Sequence, residues 1–208
     1  MPNLHIIGGG GHFVAISSLI KDRDWESFFV YDDELTESPI SGWKFNGATN
    51  NLRLYHKVGD KVFIAVGSNR IRKKLDSSLN DLKPEYGILR SINSWQCQSA
   101  SIGCGTVCMP FSIVNSHSVV GSHVIINNAA TVDHECRLGD YVHLSPGVNL
   151  GGRVTVGDLT WIGIGASVIN DVTIGRNVTI GAGAVVINDI PDNAVAVGVP
   201  ARIIKYNE

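Results

Sequence analysis

The sequence predicts two folds in succession: an α/β, Rossmann-like parallel sheet, then a parallel β-helix. Two observations carry this expectation. From residue 102 an apolar residue recurs at every sixth position, fifteen times in succession from Ile102 to Val186. Before residue 92 there is no such period; short apolar runs alternate there with amphipathic stretches. The expected boundaries are therefore 1–92 for the sheet domain and 93–208 for the coil with a capping strand.

In the first half, "LHIIG" reads as a strand ending in glycines, and "HFVAISSLIKD" carries apolar residues at helical spacing. "FFVYDD" is a second strand, "KVFIAVG" a third, "NRIRKKLDSSLNDL" a charged amphipathic helix and "YGILRS" the last strand. Alternation of this kind favours a small parallel sheet covered by helices. Ligands of such sheets bind at the carboxyl ends of the strands, here "GGGGH", "DD" and "GSNR". A glycine turn feeding a helix offers free backbone N–H groups to a phosphate. The dinucleotide fingerprint is half present: Gly8 and Gly10 fit GxG, but Phe13 occupies the third position. A tight structural turn is the competing reading of the glycines, and a solvated loop that of Asp32 and Asp33.

In the second half, the residue after the periodic apolar one is glycine eight times, from Gly103 to Gly181. The residue two before it is small or β-branched nearly throughout, as at Ala100, Ser118, Ala130 and Ala184. Neither a helix nor a two-residue strand repeat produces a period of six; a solenoid does. Three rungs make an eighteen-residue triangular coil, with one apolar residue per rung pointing inward. The glycines are expected at corners, where a small residue fits. The period breaks at Asp192, and "AVAVGVPARIIKYNE" reads as a cap.

Net charge is −2 across 208 residues, so no nucleic-acid footprint or polybasic membrane patch is expected. No apolar run approaches the roughly 18 residues of a membrane span, and no leader is legible, so a cytoplasmic chain without membrane insertion is expected. Cys97, Cys104, Cys108 and Cys136 have neither a CxxC pair nor zinc-like spacing, and read as plain thiols.

The hexapeptide run and the ending "VAVGVPARIIK" resemble the left-handed β-helix acyltransferases. With "GGGGH", "VYDD", "IAVGSNRIRKK" and "TVDHECRLGDYVHLSPG", the chain resembles one branch most: the PglD-type nucleotide-sugar N-acetyltransferases of bacterial glycan synthesis, related to NeuD-like sialic acid O-acetyltransferases. The resemblance implies a homotrimer with acetyl-CoA between adjacent coils and a UDP-linked 4-amino-4,6-dideoxy sugar on the N-terminal domain. It implies that His134 is the general base and that Glu135 raises its basicity. It implies acetyl-CoA contacts at His143, Ile164 and Ala182, the last being glycine in relatives. On the nucleotide side it implies Gly10, Gly11 and His12 at the phosphates, Asp32 and Asp33 at the base or ribose, and Gly67 in the turn. Arg70 follows in that loop, where relatives carry an acidic residue, and its role toward the sugar stays open.

The chemistry fits these residue types. Acetyl transfer to an amine needs a base near working pH, which histidine supplies, and a carboxylate beside it stabilises the imidazolium. Counting sixes puts His134 and His143 outside the core, on different parts of the coil. His117, 17 residues before His134, is expected one rung away on the same face. No metal is expected. The competing readings are an O-acetyltransferase of sialic acid or another sugar, a γ-type carbonic-anhydrase-like enzyme using outward histidines, and a non-catalytic trimer scaffold.

Overall fold

In the computed structural model, residues 1–21 and 24–207 are described. The chain divides into two compact units, Met1–Leu89 and Arg90–Glu208.

The first unit is a five-stranded, all-parallel sheet. Its strands are β1 (Leu4–Ile7), β2 (Phe28–Tyr31), β3 (Lys44–Phe45), β4 (Lys61–Ile64) and β5 (Glu85–Tyr86), in spatial order β3-β2-β1-β4-β5. β1 is central and its four residues are all buried, as expected of a parallel strand covered on both faces. Helix α1 (Gly11–Ser17) follows β1 and buries Phe13 and Ile16. Helix α3 (Asn69–Ser78) follows β4 and is capped by the Ser68 hydroxyl, which accepts from the Ile71 N–H. A short helix α2 (Leu52–Tyr55) lies between β3 and β4. β3 and α2 were not foreseen, and "YGILRS" splits: Glu85–Tyr86 closes this sheet, whereas Leu89–Arg90 is the first strand of the coil. At the opposite end from the glycine turn lies a buried polar cluster. His5 Nδ1 is 2.9 Å from the Tyr31 hydroxyl and its Nε2 is 3.0 Å from Asp60 Oδ2. Burial pushes the Asp60 carboxyl up, but bonds from the Asn3 N–H, the His5 ring and the Lys57 N–H outweigh it and hold it down at about 2.

The second unit is a parallel β-helix of two-residue strands in three faces. The first face runs from Trp95–Gln96 to Val185–Val186, the second from Ser101–Ile102 to Thr173–Ile174. The third runs from Leu89–Arg90 to Thr179–Ile180 and continues into Ala194–Val197 and the antiparallel cap Arg202–Tyr206. Through the repeat each strand pairs with the one eighteen residues on, as in Ile113↔Thr131 and Ile125↔His143, and the spacing shortens to sixteen at the C-terminal end, where Thr179 pairs with Val195. Fourteen of the fifteen periodic residues are buried, and Ile102 at the open end is half-buried. The small slot two residues before them is buried too. At two of these positions a threonine hydroxyl bridges coils: Thr106 Oγ1 donates to Gly121 O and accepts from Val124 N, and Thr160 does the same to Gly175 O and Val178 N.

The corner glycines answer the expected need for a small residue. They do not adopt positive φ; they are required because successive coils touch. A Cβ on Gly121 would lie 2.7 Å from the Gly139 carbonyl carbon, and one on Gly157 would lie 2.6 Å from that of Gly175. The left-handed conformation falls two residues later, at every sixth residue from Gly105 to Gly183. Most of these positions carry side chains, among them His117 (φ 58°), Glu135 (φ 58°) and Arg153 (φ 60°). Such φ values are uncommon outside glycine and are held here by the coil-to-coil hydrogen bonds.

Candidate active site

The turn Asp133–Cys136 joins the first face to the second. His134 and Glu135 lie on it outside the core, with side chains 41% and 55% exposed. His134 Nδ1 is 3.0 Å from Glu135 Oε2, which leaves Nε2 as the outer ring nitrogen. The turn is braced from the coil before it. Ser118 Oγ donates to Asp133 O at 2.5 Å and accepts from Cys136 N at 3.0 Å. Asn115 Nδ2 donates to Asp133 Oδ1, which also accepts the His134 N–H. Cys136 is buried in the small slot and donates to Gly151 O; burial pushes its thiol up, which disfavours it as a nucleophile.

The coil after it supplies a residue that sequence reading missed. Gly152 stands eighteen residues beyond His134, and a Cβ there would lie 2.4 Å from His134 Nε2 and 2.6 Å from Cε1. The imidazole therefore rests on bare backbone. The signal was present as the doubled glycine "GG" at 151–152, of which the six-residue count explains only the first. His117 stacks one coil before Glu135, not before His134, because the column spacing is eighteen rather than seventeen. His123 is buried and stacked on Tyr141 at 5.3 Å, so the two histidines occupy separate surroundings. Among the described residues no group of three or more His, Cys, Asp or Glu is placed to hold a metal ion.

His143 lies on the third face, paired in register with Ile125 and Trp161, and its ring stacks on Trp161 with centroids 6.3 Å apart. Ile164 and Ala182 stack one coil apart at the corner leaving that face, with the Gly183 N–H donating to Ile164 O at 2.8 Å. The structure thus brings His143, Ile164 and Ala182 to one side of the coil and His134 with Glu135 to another corner. Beside Ile164 the left-handed slot is glycine in three successive coils, at Gly147, Gly165 and Gly183. Added Cβ atoms at Gly165 and Gly183 would meet nothing within 4 Å. This leaves a strip of backbone bare of side chains, its N–H groups bonded between coils, flanked by exposed Trp161 and Ile164.

In the sheet unit, a cavity of about 320 Å³ opens at the carboxyl ends of β1 and β4. Gly10, Gly11, His12, Asp32, Asp33 and Gly67 all line it, with Glu34, Thr49 and Ile71. Arg70 is exposed on α3 and does not line it. The four glycines divide in role. Gly8 (φ 93°) and Gly9 are structural, because Cβ atoms there would meet Val66 Cγ2 at 2.6 Å and Leu35 Cδ1 at 2.4 Å. Gly10 and Gly11 face open space. Asp32 accepts from the N–H groups of Gly9 (2.7 Å), Glu34 (2.9 Å) and Leu35 (3.2 Å), so it shapes the glycine turn. Burial pushes its carboxyl up, and these three bonds outweigh it. Asp33 accepts from the Thr49 N–H. A carboxylate has about four acceptor sites, so both retain capacity for a ligand. His12 is pushed down to about 4 by burial and by the Arg72 guanidinium, and is neutral near pH 7. Arg72, buried and bonded to Val66 O, Gly67 O and Asn69 Oδ1, was hidden from sequence reading inside a charged helix.

A coil of six-residue rungs with an outward histidine–carboxylate pair at one corner and a side-chain-free glycine strip at another matches the architecture expected from the resemblance to the left-handed β-helix acyltransferases. Comparison with known proteins narrows the class. Residues 3–79 match the PglD N-terminal domain family and residues 153–188 the bacterial transferase hexapeptide family (six repeats). GDP-perosamine N-acetyltransferase of Escherichia coli O157:H7 is 30% identical over 161 residues, covering 73% of this chain and 72% of the relative. UDP-N-acetylbacillosamine N-acetyltransferase of Bacillus subtilis is 39% identical over 112 residues, 52% of each chain. A histidine-to-asparagine variant of perosamine N-acetyltransferase from Caulobacter crescentus, solved with CoA and GDP-perosamine, superposes with a TM-score of 0.93 at 34% identity, covering 99% of this chain and 98% of that one. The chain belongs to the acetyl-CoA-dependent sugar N-acetyltransferases that couple a PglD-type N-terminal domain to a hexapeptide coil.

Proposed function

We propose that this enzyme acetylates the 4-amino group of a nucleotide-linked 4-amino-4,6-dideoxy sugar by direct transfer, with His134 as general base. The observation that carries the reading is the His134–Glu135 pair, 3.0 Å apart, outside the core and on a braced turn. Acetyl-CoA, when bound, supplies an activated acyl group. Glu135 accepts a hydrogen bond from Nδ1–H and fixes the tautomer, so Nε2 carries the lone pair. Nε2 takes the proton as the sugar nitrogen bonds to the acetyl carbon, and returns it to the departing thiolate sulfur as the C–S bond breaks. No covalent enzyme intermediate is required. The strip at Gly147, Gly165 and Gly183, with His143, Ile164 and Ala182, fits the donor's extended arm. It lies at a different corner from His134, which favours a homotrimer in which one subunit's strip faces the next subunit's base.

The nucleotide is assigned to the sheet unit, with its phosphates at Gly10, Gly11, His12 and Gly67 and its base or ribose at Asp33 and the remaining capacity of Asp32. UDP is the expected nucleotide. GDP is a second reading, favoured by the GDP-perosamine named for the E. coli and Caulobacter relatives. N- rather than O-acetylation is favoured because the relatives named are N-acetyltransferases. The test compares UDP- and GDP-linked 4-amino sugars with free sialic acid at fixed acetyl-CoA, on wild type and His134→Asn. A nucleotide-linked amine should turn over, and His134→Asn should lower kcat by about 10²-fold or more. Turnover of sialic acid alone, or an unimpaired His134→Asn enzyme, defeats the reading.

A further inference from the structure

Glu135 is one member of a charged column. Residues eighteen apart stack in this coil, and the left-handed turn slot of Glu135 holds His117 one coil earlier, Arg153 one coil later and Asp171 two coils later, with φ between 58° and 64° throughout. The Arg153 N–H donates to His134 O at 2.9 Å, which ties that coil to the base. Arg153 Nε and Nη2 donate to Asp171 Oδ1 and Oδ2 at 2.6 and 2.8 Å. A permanently charged guanidinium thus stands between two carboxylates, and its planar fork is committed to the one farther from the base.

We propose that Asp171 is a positioning residue for the acetyl-transfer base: by holding Arg153, it keeps Glu135 for His134. This rests on the reading of His134 as the base. Neighbouring strands of a sheet lie only about 4.8 Å apart. A guanidinium released by Asp171 therefore meets Glu135 as its nearest carboxylate. Glu135 bonded to Arg153 no longer accepts the hydrogen bond from Nδ1–H, so the imidazole loses its fixed tautomer and its negative neighbour together. The charged groups around His134 are Glu135 and Asp133 on its own turn, and Arg153 and Asp171 from the following coils; His117 flanks Glu135 from the coil before. The Asp171 carboxyl is held below its usual range first by its bond from Arg153, and His134 adds to the effect.

The test compares wild type, Asp171→Asn, the double variant Arg153→Asn with Asp171→Asn, and His134→Asn. Asparagine suits both left-handed positions, so the backbone is preserved. Two readouts are taken at low salt, where exposed charges are least screened: the pH profile of kcat, and an NMR titration of the His134 imidazole. Asp171→Asn should move both midpoints down by a few tenths of a pH unit, as expected for exposed pairs. It should lower the kcat plateau by roughly fivefold with the KM for acetyl-CoA little changed. The double variant should return both readouts toward wild type, because the competing cation is gone. Wild-type behaviour in Asp171→Asn overturns the proposal, as does a double variant no better than the single one, which would mark Asp171 as merely structural. An active His134→Asn enzyme overturns the base assignment instead, while the NMR titration still reports whether Asp171 controls the His134 environment.

Discussion

Replacing Gly152 by alanine isolates the placement of the base from the stability of the coil. The three atoms nearest an added Cβ all belong to the His134 ring: Nε2 at 2.4 Å, Cε1 at 2.6 Å and Cδ2 at 3.1 Å. Ordinary contact begins at 3.4 Å, and no backbone atom stands closer, so the ring must retreat while the main chain stays. The retreat is roughly 1 Å, and a misplacement of that size in a reacting group costs about 10²-fold in rate. Moving the ring also lengthens or breaks its 3.0 Å contact with Glu135. Gly151→Ala is the contrasting variant, because its Cβ would lie 2.8 Å from the Asn170 backbone nitrogen and 3.1 Å from the Ile169 carbonyl carbon. Steady-state kinetics and thermal melts on both variants separate the two effects. Gly152→Ala should lose about 10²-fold in kcat, keep its KM values within a few-fold and melt close to wild type. Gly151→Ala should lower the melting temperature first. A Gly152→Ala enzyme with wild-type kcat would refute the claim that bare backbone at 152 seats the base.

Three further outcomes follow from the hydrogen bonds and burial. Ser118→Ala removes the hydroxyl that closes the His134 turn, strands the buried Cys136 N–H and should cost about 1–3 kcal/mol in urea unfolding, whereas Ser118→Thr should be tolerated because Thr106 and Thr160 fill the equivalent slot with the same two bonds. Asp60 is held at about 2 against an ordinary 3.8, so its contribution of about 2 kcal/mol is complete above pH 3.8 and disappears as pH falls through 2. The stability gap between wild type and Asp60→Asn should narrow across that window; a constant gap would contradict the assignment. His12 is held neutral at about 4 against an ordinary 6.5, so the unfolded chain takes up its proton first, and stability should fall by about 3 kcal/mol from pH 6.5 to 4. His12→Gln should flatten that slope in urea titrations, and an unchanged slope would show that another group carries it.

The coil was legible because its rule is local: each rung needs one inward apolar residue, and a period of six cannot be mistaken for a helix or a flat strand. The sheet unit was legible where strands are long and fully buried, as at Leu4–Ile7. It was not legible at Lys44–Phe45, where two residues are too few to show alternation. Arg72 was not legible for a physical reason: a charge on a helix normally faces water, and this one is buried with its guanidinium bonded to the carbonyls of the adjoining turn and to Asn69 Oδ1. Gly151 and Gly152 look alike as letters, yet one is excluded from bearing a side chain by backbone and the other by an imidazole. Asp32 was read as a ligand contact, and the structure shows it first as the clamp on Gly9, Glu34 and Leu35. The conformation of the left-handed turns was hidden because most of those positions are not glycine.

These cases separate two periods that the chain carries at once. The period of six builds the wall, and it says only which residues face inward. The period of eighteen decides what each outward residue touches, because the coil-to-coil bonds set residues such as Ser116, His134 and Gly152 one above another. Along one column the left-handed slot is empty at Gly147, Gly165 and Gly183, which opens a path. Along another the same slot holds Glu135, Arg153 and Asp171, which concentrates charge beside a histidine. Both arise from one backbone conformation, and the difference lies wholly in the side chain. A histidine next to a glutamate in sequence is therefore an incomplete description of the proposed base. On the proposal made above, how readily that histidine can take a proton depends also on Arg153 and Asp171, eighteen and thirty-six positions beyond Glu135, which contribute no atom to the reaction and leave no mark on the six-residue pattern.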